Sequence, residues 1–316
     1  MNKLVVSSSP HICAKDSVRS IMLDVIIALV PAGIAAVWLF GFRSLWLIFT
    51  CVSAAVLAEF ISCKILKKEN TTGDLSAVVT GLLLAYNLPV TLPLWMAVLG
   101  SVVAIVVVKQ LFGGIGQNFV NPALIGRIFL MTSFATPMTT WTAPFTDAVS
   151  SATPLASMAA DGMANVPSLV DMLIGNHGGC MGETCVIALV IGGIYLMARR
   201  VISPAIPLCY IGTVAVVMLF AGGGEYMLYQ ILSGGLLLGA IFMATDYTTS
   251  PVNLKGKIVY AVGCGLITVF IRLFGNMAEG VSYSIVIMNI LTPHIENLTA
   301  SKPFGFQRRK KQEAAK

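Results

Sequence analysis

Long apolar runs recur along this chain, and they leave it few folds. A helix needs roughly 20 apolar residues to cross a hydrocarbon core. Runs of that kind lie near residues 20–40, 44–66, 92–113, 118–134, 184–200, 203–221, 255–274 and 279–296. Two shorter segments, Asp74–Pro89 and Tyr226–Asp246, are broken by polar residues, Gly or Pro. Counting them, the sequence predicts an all-α integral membrane protein of about ten transmembrane helices. Composition agrees: 57% of residues are hydrophobic and 11% charged, far below the roughly 25% charged of soluble proteins.

Charge placement sets an orientation. With the polar stretch Met1–Arg19 inside, all but Arg43, Arg127 and Arg272 of the 20 Lys and Arg fall in inner loops or the basic tail. Such a bias marks the cytoplasmic side. It places both termini inside and the central loop outside, where Asp147, Asp161 and Asp171 stand without a Lys or Arg. No short apolar run with a small-residue cleavage site opens the chain, so no removable signal peptide is expected. The net charge of +6 then belongs to inner loops facing anionic lipid, and nucleic acid is not an expected partner.

The sequence also repeats itself weakly. Ile27–Ile34 matches Ile187–Ile194, Gly81–Leu84 matches Gly235–Leu238, and Leu111–Gly113 matches Leu273–Gly275, in order and at nearly constant separation. The alternative is that apolar helices share short words by chance. A duplication would make two five-helix repeats, the second inserted upside down, each with a short broken third helix. Inverted repeats of this kind put binding sites at their interface. The expected organisation is a cytoplasmic N-terminus (1–19), a first repeat (20–134), an outer loop (135–180), a second repeat (181–298) and a basic cytoplasmic tail (299–316).

Charges inside apolar runs are costly and usually functional, about 2.5–3.5 kcal/mol each on insertion scales. Asp24 and Glu59 are of this kind, the first able to snorkel toward the interface and the second able to pair with Lys64. Asp74 opens the first broken segment within Thr71-Thr72-Gly73-Asp74, whose side chains suit capping, and Asp246 closes the second. These four are the candidate ion-path residues, and the broken segments could enclose that path or a planar cofactor. Arg127, the arginine expected deep in a helix, requires an acid, carbonyl oxygens or an anionic ligand such as a flavin. Gly113–Asn118 lacks the Lys-Ser/Thr of a phosphate-binding loop and reads as a connecting turn. Cys180 and Cys185 could pair or bind metal, but no second pair stands nearby, and no metal site or catalytic side chain is assigned.

The central loop is more specific. Ser150-Ser151-Ala152-Thr153-Pro154 is, taken alone, a small-residue turn with several hydroxyls. Asp147-Ala148-Val149-Ser150-Ser151-Ala152-Thr153 resembles the flavinylation motif Asp-x-x-Ser/Thr-Gly-Ala-Thr, with Ser151 replacing the usual Gly. Asn118–Ala123, Ala244-Thr245-Asp246 and the hydrophobic length are similar to the RnfD/NqrB family, and the length favours its RnfD branch.

That resemblance implies FMN joined by a phosphoester to Thr153, installed outside the membrane by a flavin transferase, within the motif that holds Asp147, Ser150 and Ala152; Arg127 is a candidate flavin partner by its planar charged fork, with an interior carboxylate as the alternative. The resemblance also implies a multi-pass subunit of the bacterial or archaeal plasma membrane, working beside other Rnf subunits that include an outer-face flavin subunit. Such complexes pass electrons between reduced ferredoxin and NAD⁺ and export Na⁺ or H⁺. Riboflavin is associated with related subunits and would lie between the broken helices toward the inner face. Two other readings are a quinone-reducing NqrB-like subunit and a small-solute carrier of urea-transporter-like fold.

Overall fold

The computed structural model describes residues 17–145, 152–163, 166–275 and 279–300. Their regular structure is helical, without strands. Helix α1 (Val18–Phe40) starts where Ser17 and Ser20 each accept the other's backbone N–H through their hydroxyls, a reciprocal cap that satisfies two otherwise free donors. Gly41 alone joins it to α2 (Phe42–Ile65), and its φ of 74° is one that glycine adopts without strain.

A 3₁₀ turn (Thr72–Asp74) leads into the short α3 (Ser76–Tyr86), as the sequence suggested: Asp74 Oδ1 accepts from the Ser76 N–H at 2.9 Å. Helix α4 (Leu94–Val102) runs on as a π-helix through Gln110, and α5 (Pro122–Ser133) is capped by Asn121. Three short helices follow in the central segment, α6 (Ala135–Met138), α7 (Pro154–Asp161) and α8 (Leu169–Ile174).

Beyond it come α9 (Val186–Ala198), α10 (Ala205–Leu232, bent at Gly223), and the short α11 (Leu236–Leu238), which continues as a π-helix to Met243. Helices α12 (Leu254–Phe274) and α13 (Val281–Thr299) complete the order. The second broken segment is therefore shorter than expected. Tyr226–Leu232 belongs to the long α10, because the Gly223 bend lets the helix resume.

Among the described residues, four helices, α1, α2, α10 and α12, are long and apolar enough to cross a membrane, and α3, α4 with its π extension, α5 and α9 are shorter apolar helices. Their outer faces carry large apolar side chains such as Ile34, Trp38, Phe220 and Phe274, while small ones turn inward: Ala28, Ala32 and Ala36 form the buried stripe of α1. This is the expected arrangement where lipid offers no hydrophobic drive and backbones must approach closely. Helix α1 packs on α9, α2 on α3, and α10 on α12.

Gly192 shows the closeness. A Cβ there would stand 2.2 Å from the Ala28 carbonyl oxygen. Gly192→Ala is therefore expected to destabilise the fold by about 1–3 kcal/mol, whereas Gly212→Ala, which meets nothing within 4 Å, should leave it unchanged or slightly firmer. Thermal unfolding of the two variants side by side measures the difference.

Candidate functional site

Polar side chains gather at two places inside this helical body. The first is a cavity whose space, counted out through its open mouth into solvent, is about 760 Å³. Its wall takes Ser76, Thr80 and Leu83 from α3, Phe242 from the second π-helix, and Asp246 and Thr248 just beyond. Both broken segments thus contribute to one cavity. Asp246 is held by its own turn, accepting from the Thr248 N–H at 3.2 Å and the Thr248 hydroxyl at 3.0 Å. Asn118 donates to the same hydroxyl at 3.2 Å, and Asn121 donates to the Met243 carbonyl at 3.4 Å.

Lys109 also lines this cavity and corrects two expectations. It is not a loop cation: it is 3% exposed, in the π-helix that extends α4. Glu59 does not pair with Lys64 but with Lys109, at 2.7 Å. The same carboxylate oxygen accepts from Gln110 at 2.9 Å and Thr71 at 2.8 Å, and Lys109 donates to Ser76 at 2.5 Å. A turn with i→i+5 bonding rotates its side chains relative to an α-helix, and here that aims Lys109 inward. Asp24 is buried as well. It accepts from Tyr195 at 2.8 Å and forms an ion pair with Arg199 at 3.2 Å, clamping α1 to α9.

The second gathering surrounds Arg127, which is 2% exposed on α5. Its guanidinium donates to Asn87 Oδ1 at 2.7 Å and to Cys180 Sγ at 3.6 Å, and forms an ion pair with Glu279. Asn87 caps the end of α3 and also reaches Met243, at the end of the second π-helix, at 3.6 Å. Of the partners the sequence allowed for Arg127, the structure supplies an acid. Arg272, assigned by sequence to an outer loop, lies in the last turn of α12 and joins this cluster, donating to the Glu279 carbonyl at 3.2 Å and to Gln230 and Ser233. Glu183 is 3% exposed, and its Oε1 accepts from the Cys180 N–H at 3.0 Å.

Sequence reasoning assigned no role to Asn87, Glu183, Arg272 or Glu279. The available signal was the acid in each flank of an apolar run, Glu183 before α9 and Glu279 before α13. Cys180 and Cys185 are both free thiols.

Thr153 caps α7, its hydroxyl accepting from the Ala156 N–H at 3.2 Å, and it is 7% exposed. Ala152 is exposed, while Asp147 and Ser150 lie outside the described residues. Leu155 packs with Met158, Met172 and Tyr229. It also lies over Gly234, where a Cβ would stand 2.7 Å from Leu155 and 3.3 Å from Arg272. The segment that follows Thr153 therefore rests directly on the Arg272–Glu279 cluster. Nearby, the Ser168 hydroxyl and then Asn176 hold Asp171 below the usual carboxylate range, so this segment keeps its negative charge near neutrality.

A helical body with large apolar outer faces, a cavity of mixed polar and apolar lining between its broken helices and a buried charged junction has the architecture of a membrane protein. The chain belongs to the NQR2, RnfD, RnfE family, whose model matches residues 5–305. It is 50% identical, over 99% of its length and 98% of the relative's, to the D subunit of the Na⁺-translocating ferredoxin:NAD⁺ oxidoreductase complex of Acetobacterium woodii. The D subunit of the proton-translocating ferredoxin:NAD⁺ oxidoreductase complex of Clostridium ljungdahlii is 41% identical over 97% of this chain and 98% of its own. The D subunit of the ion-translocating oxidoreductase complex of Methanosarcina acetivorans is 34% identical, covering 96% and 98%. All three names describe redox-linked ion translocation and none a solute carrier.

Removing the Arg127 charge would leave buried carboxylates without their partner. Arg127→Met is expected to cost about 3–5 kcal/mol, as for other broken buried pairs, and Arg127→Lys to keep the ion pair but lose the second arm to Asn87. Thermal unfolding and yield of the purified variants would check the ranking.

Proposed function

We propose that this chain is the flavin-carrying membrane subunit of an Rnf-type ferredoxin:NAD⁺ oxidoreductase. It passes electrons through FMN held covalently at Thr153 and takes part in coupling their transfer to export of Na⁺ or H⁺. The observation that carries this reading is the place of Thr153. Its hydroxyl stands at the N-terminus of α7, where free backbone N–H groups and the helix dipole favour a phosphate. The loop sequence before it and the names of the relatives support the same conclusion.

Flavin supplies one-electron chemistry when bound, and the protein tunes it through hydrogen bonds and charge. This chain would contribute the tether at Thr153, the apolar packing of Leu155 and Met158, and the charged junction beneath them. Because Thr153 is buried, the flavin transferase must reach it before this segment closes onto Tyr229.

The cavity walled by Lys109, Asn121 and Asp246 suits a second, non-covalent flavin such as riboflavin. An apolar floor from Leu83 and Phe242 can face a planar ring, and the amide and carboxylate groups at the rim can orient its polar edge. Helices α1–α5 and α9–α13 read as two inverted five-helix repeats, with α3 and α11 as the broken third helices. In this orientation both termini are cytoplasmic and Thr153 faces outward in a bacterial or archaeal plasma membrane, near an outer-face flavin subunit.

In-gel fluorescence of the denatured protein, co-expressed with a flavin transferase, tests the tether. A fluorescent band is expected for the native sequence and none for Thr153→Ala; an unlabelled native band would overturn the reading. The ion path is tested separately in vesicles containing the whole complex. Asp24→Asn, Glu59→Gln, Asp74→Asn and Asp246→Asn are expected to lower ion export while electron transfer continues. Normal export in all four would remove these residues from the path, and Asp246, which lines the cavity, and Glu59, which pairs with the cavity residue Lys109, are expected to matter most.

A further inference from the structure

Glu183 and Glu279 meet at the junction with more acceptor capacity than the protein uses. One atom from each of Cys180, Glu183 and Glu279 lies within 4.8 Å of the others. Among the described residues, Glu183 Oε2 and Glu279 Oε1 are buried without a hydrogen-bond partner. Their other oxygens are engaged, Glu183 Oε1 by the Cys180 N–H and Glu279 Oε2 by Arg127. Two orphaned carboxylate oxygens in one buried cluster are unusual, because an unmet buried acceptor costs about 1–3 kcal/mol and more when charged.

Among the described residues, none of the hydrogen bonds that Arg127 and Arg272 donate ends on Glu183 Oε2 or Glu279 Oε1, and Arg127 Nε is itself buried without a partner. Arg127 is held by Glu279 and Asn87, and Arg272 by the Glu279 carbonyl, Gln230 and Ser233. The residue opposite Glu183 Oε2 is Gly235, whose absent Cβ would stand 3.5 Å from that oxygen and 3.6 Å from Arg127 Nη1.

The donor set defines what fits. Carboxylate oxygens select a hard cation. The Cys180 thiol donates to the Asn87 carbonyl at 3.3 Å and is a poor ligand while it keeps its proton. Two guanidiniums stand beside the two carboxylates, so every charge added to this dry site is costly, and a single positive charge is the least costly addition. We propose that Glu183 and Glu279 form a binding site for one monovalent cation, H⁺ or Na⁺, at the junction between the two broken helices. A cation there is held by side chains from both ends of the chain: Arg127 and Asn87 set Glu279 in place, and the Cys180 N–H sets Glu183. Its binding therefore joins α3 and α5 to the segments that open α9 and α13.

Infrared difference spectroscopy of the purified complex containing this chain tests the site, using two titrations. One adds Na⁺ in exchange for choline at fixed pH, and the other changes pH in choline alone. If the occupant is H⁺, a protonated-carboxyl band titrates with pH and is insensitive to Na⁺. If it is Na⁺, a carboxylate band shifts saturably with Na⁺. Either response is expected to vanish in Glu183→Gln and to persist with a displaced band in Glu183→Asp, which keeps a carboxylate on a shorter stem. Spectra of Glu183→Asp identical to wild type in both titrations, or a response that survives in Glu183→Gln, would overturn the proposal. Where Glu183→Gln does not assemble, Glu183→Asp and wild-type protein carrying isotope-labelled glutamate give the same decision: a labelled wild-type spectrum with no glutamate band responding to either cation also overturns it.

Discussion

A guanidinium buried among apolar helices has to be answered, and most of this structure can be understood as the answer to Arg127. Alone in low dielectric the charge would be costly, by about 2.5–3.5 kcal/mol even on insertion scales. Its fork reaches Glu279 on one side and Asn87 on the other, and the planar, two-armed geometry is what lets one residue fix both. Asn87 ends α3 and also touches Met243 at the end of the second π-helix. One buried charge thereby ties together the ends of both short helices, the start of α13 and, through Cys180, the entry to α9.

Breaking helices inside a membrane frees backbone groups that lipid cannot satisfy, so the breaks survive only where other polar groups cover them. Here each break has its cover. Asp74 accepts from Ser76 at the start of α3, the Thr248 hydroxyl and N–H close on Asp246 after the second π-helix, and Asn121 caps α5 while donating to Met243. Of these groups, Ser76, Asn121, Asp246 and Thr248 also wall the cavity. Structural necessity and a binding surface are built from one set of side chains, and the substitutions that test function there also test folding.

The helical, membrane-type architecture was readable from hydropathy, because apolar runs of sufficient length have only one way to satisfy their backbone in lipid. The order of the elements followed closely, including the interruption at Thr71–Asp74 and the turn at Gly113–Asn118. Boundaries were less legible where glycine bends a helix without ending it, as at Gly223. Among the candidate site residues, Thr153 and Asp246 were proposed from the local patterns their neighbours form. Glu59, Arg127 and Asp24 could be picked out as charges in apolar runs, but their partners could not.

Charge-by-charge pairing was the part that hydropathy does not encode. Glu59 meets Lys109 across 50 residues and Arg127 meets Glu279 across 152. In a soluble protein the apolar face of a helix points to the core and so narrows its neighbours; in lipid the outer face is apolar too, and the pattern no longer says which side packs. By itself, the sequence determined that this chain would form membrane-type helices, that one of them would be interrupted at Thr71–Asp74, and that Asp24, Glu59 and Arg127 would lie inside. Only the tertiary structure decided which of those charges face each other. That choice depends on close backbone approaches such as Gly192 against Ala28 and on the rotation a π-helix gives Lys109, both set by packing between helices distant in the chain.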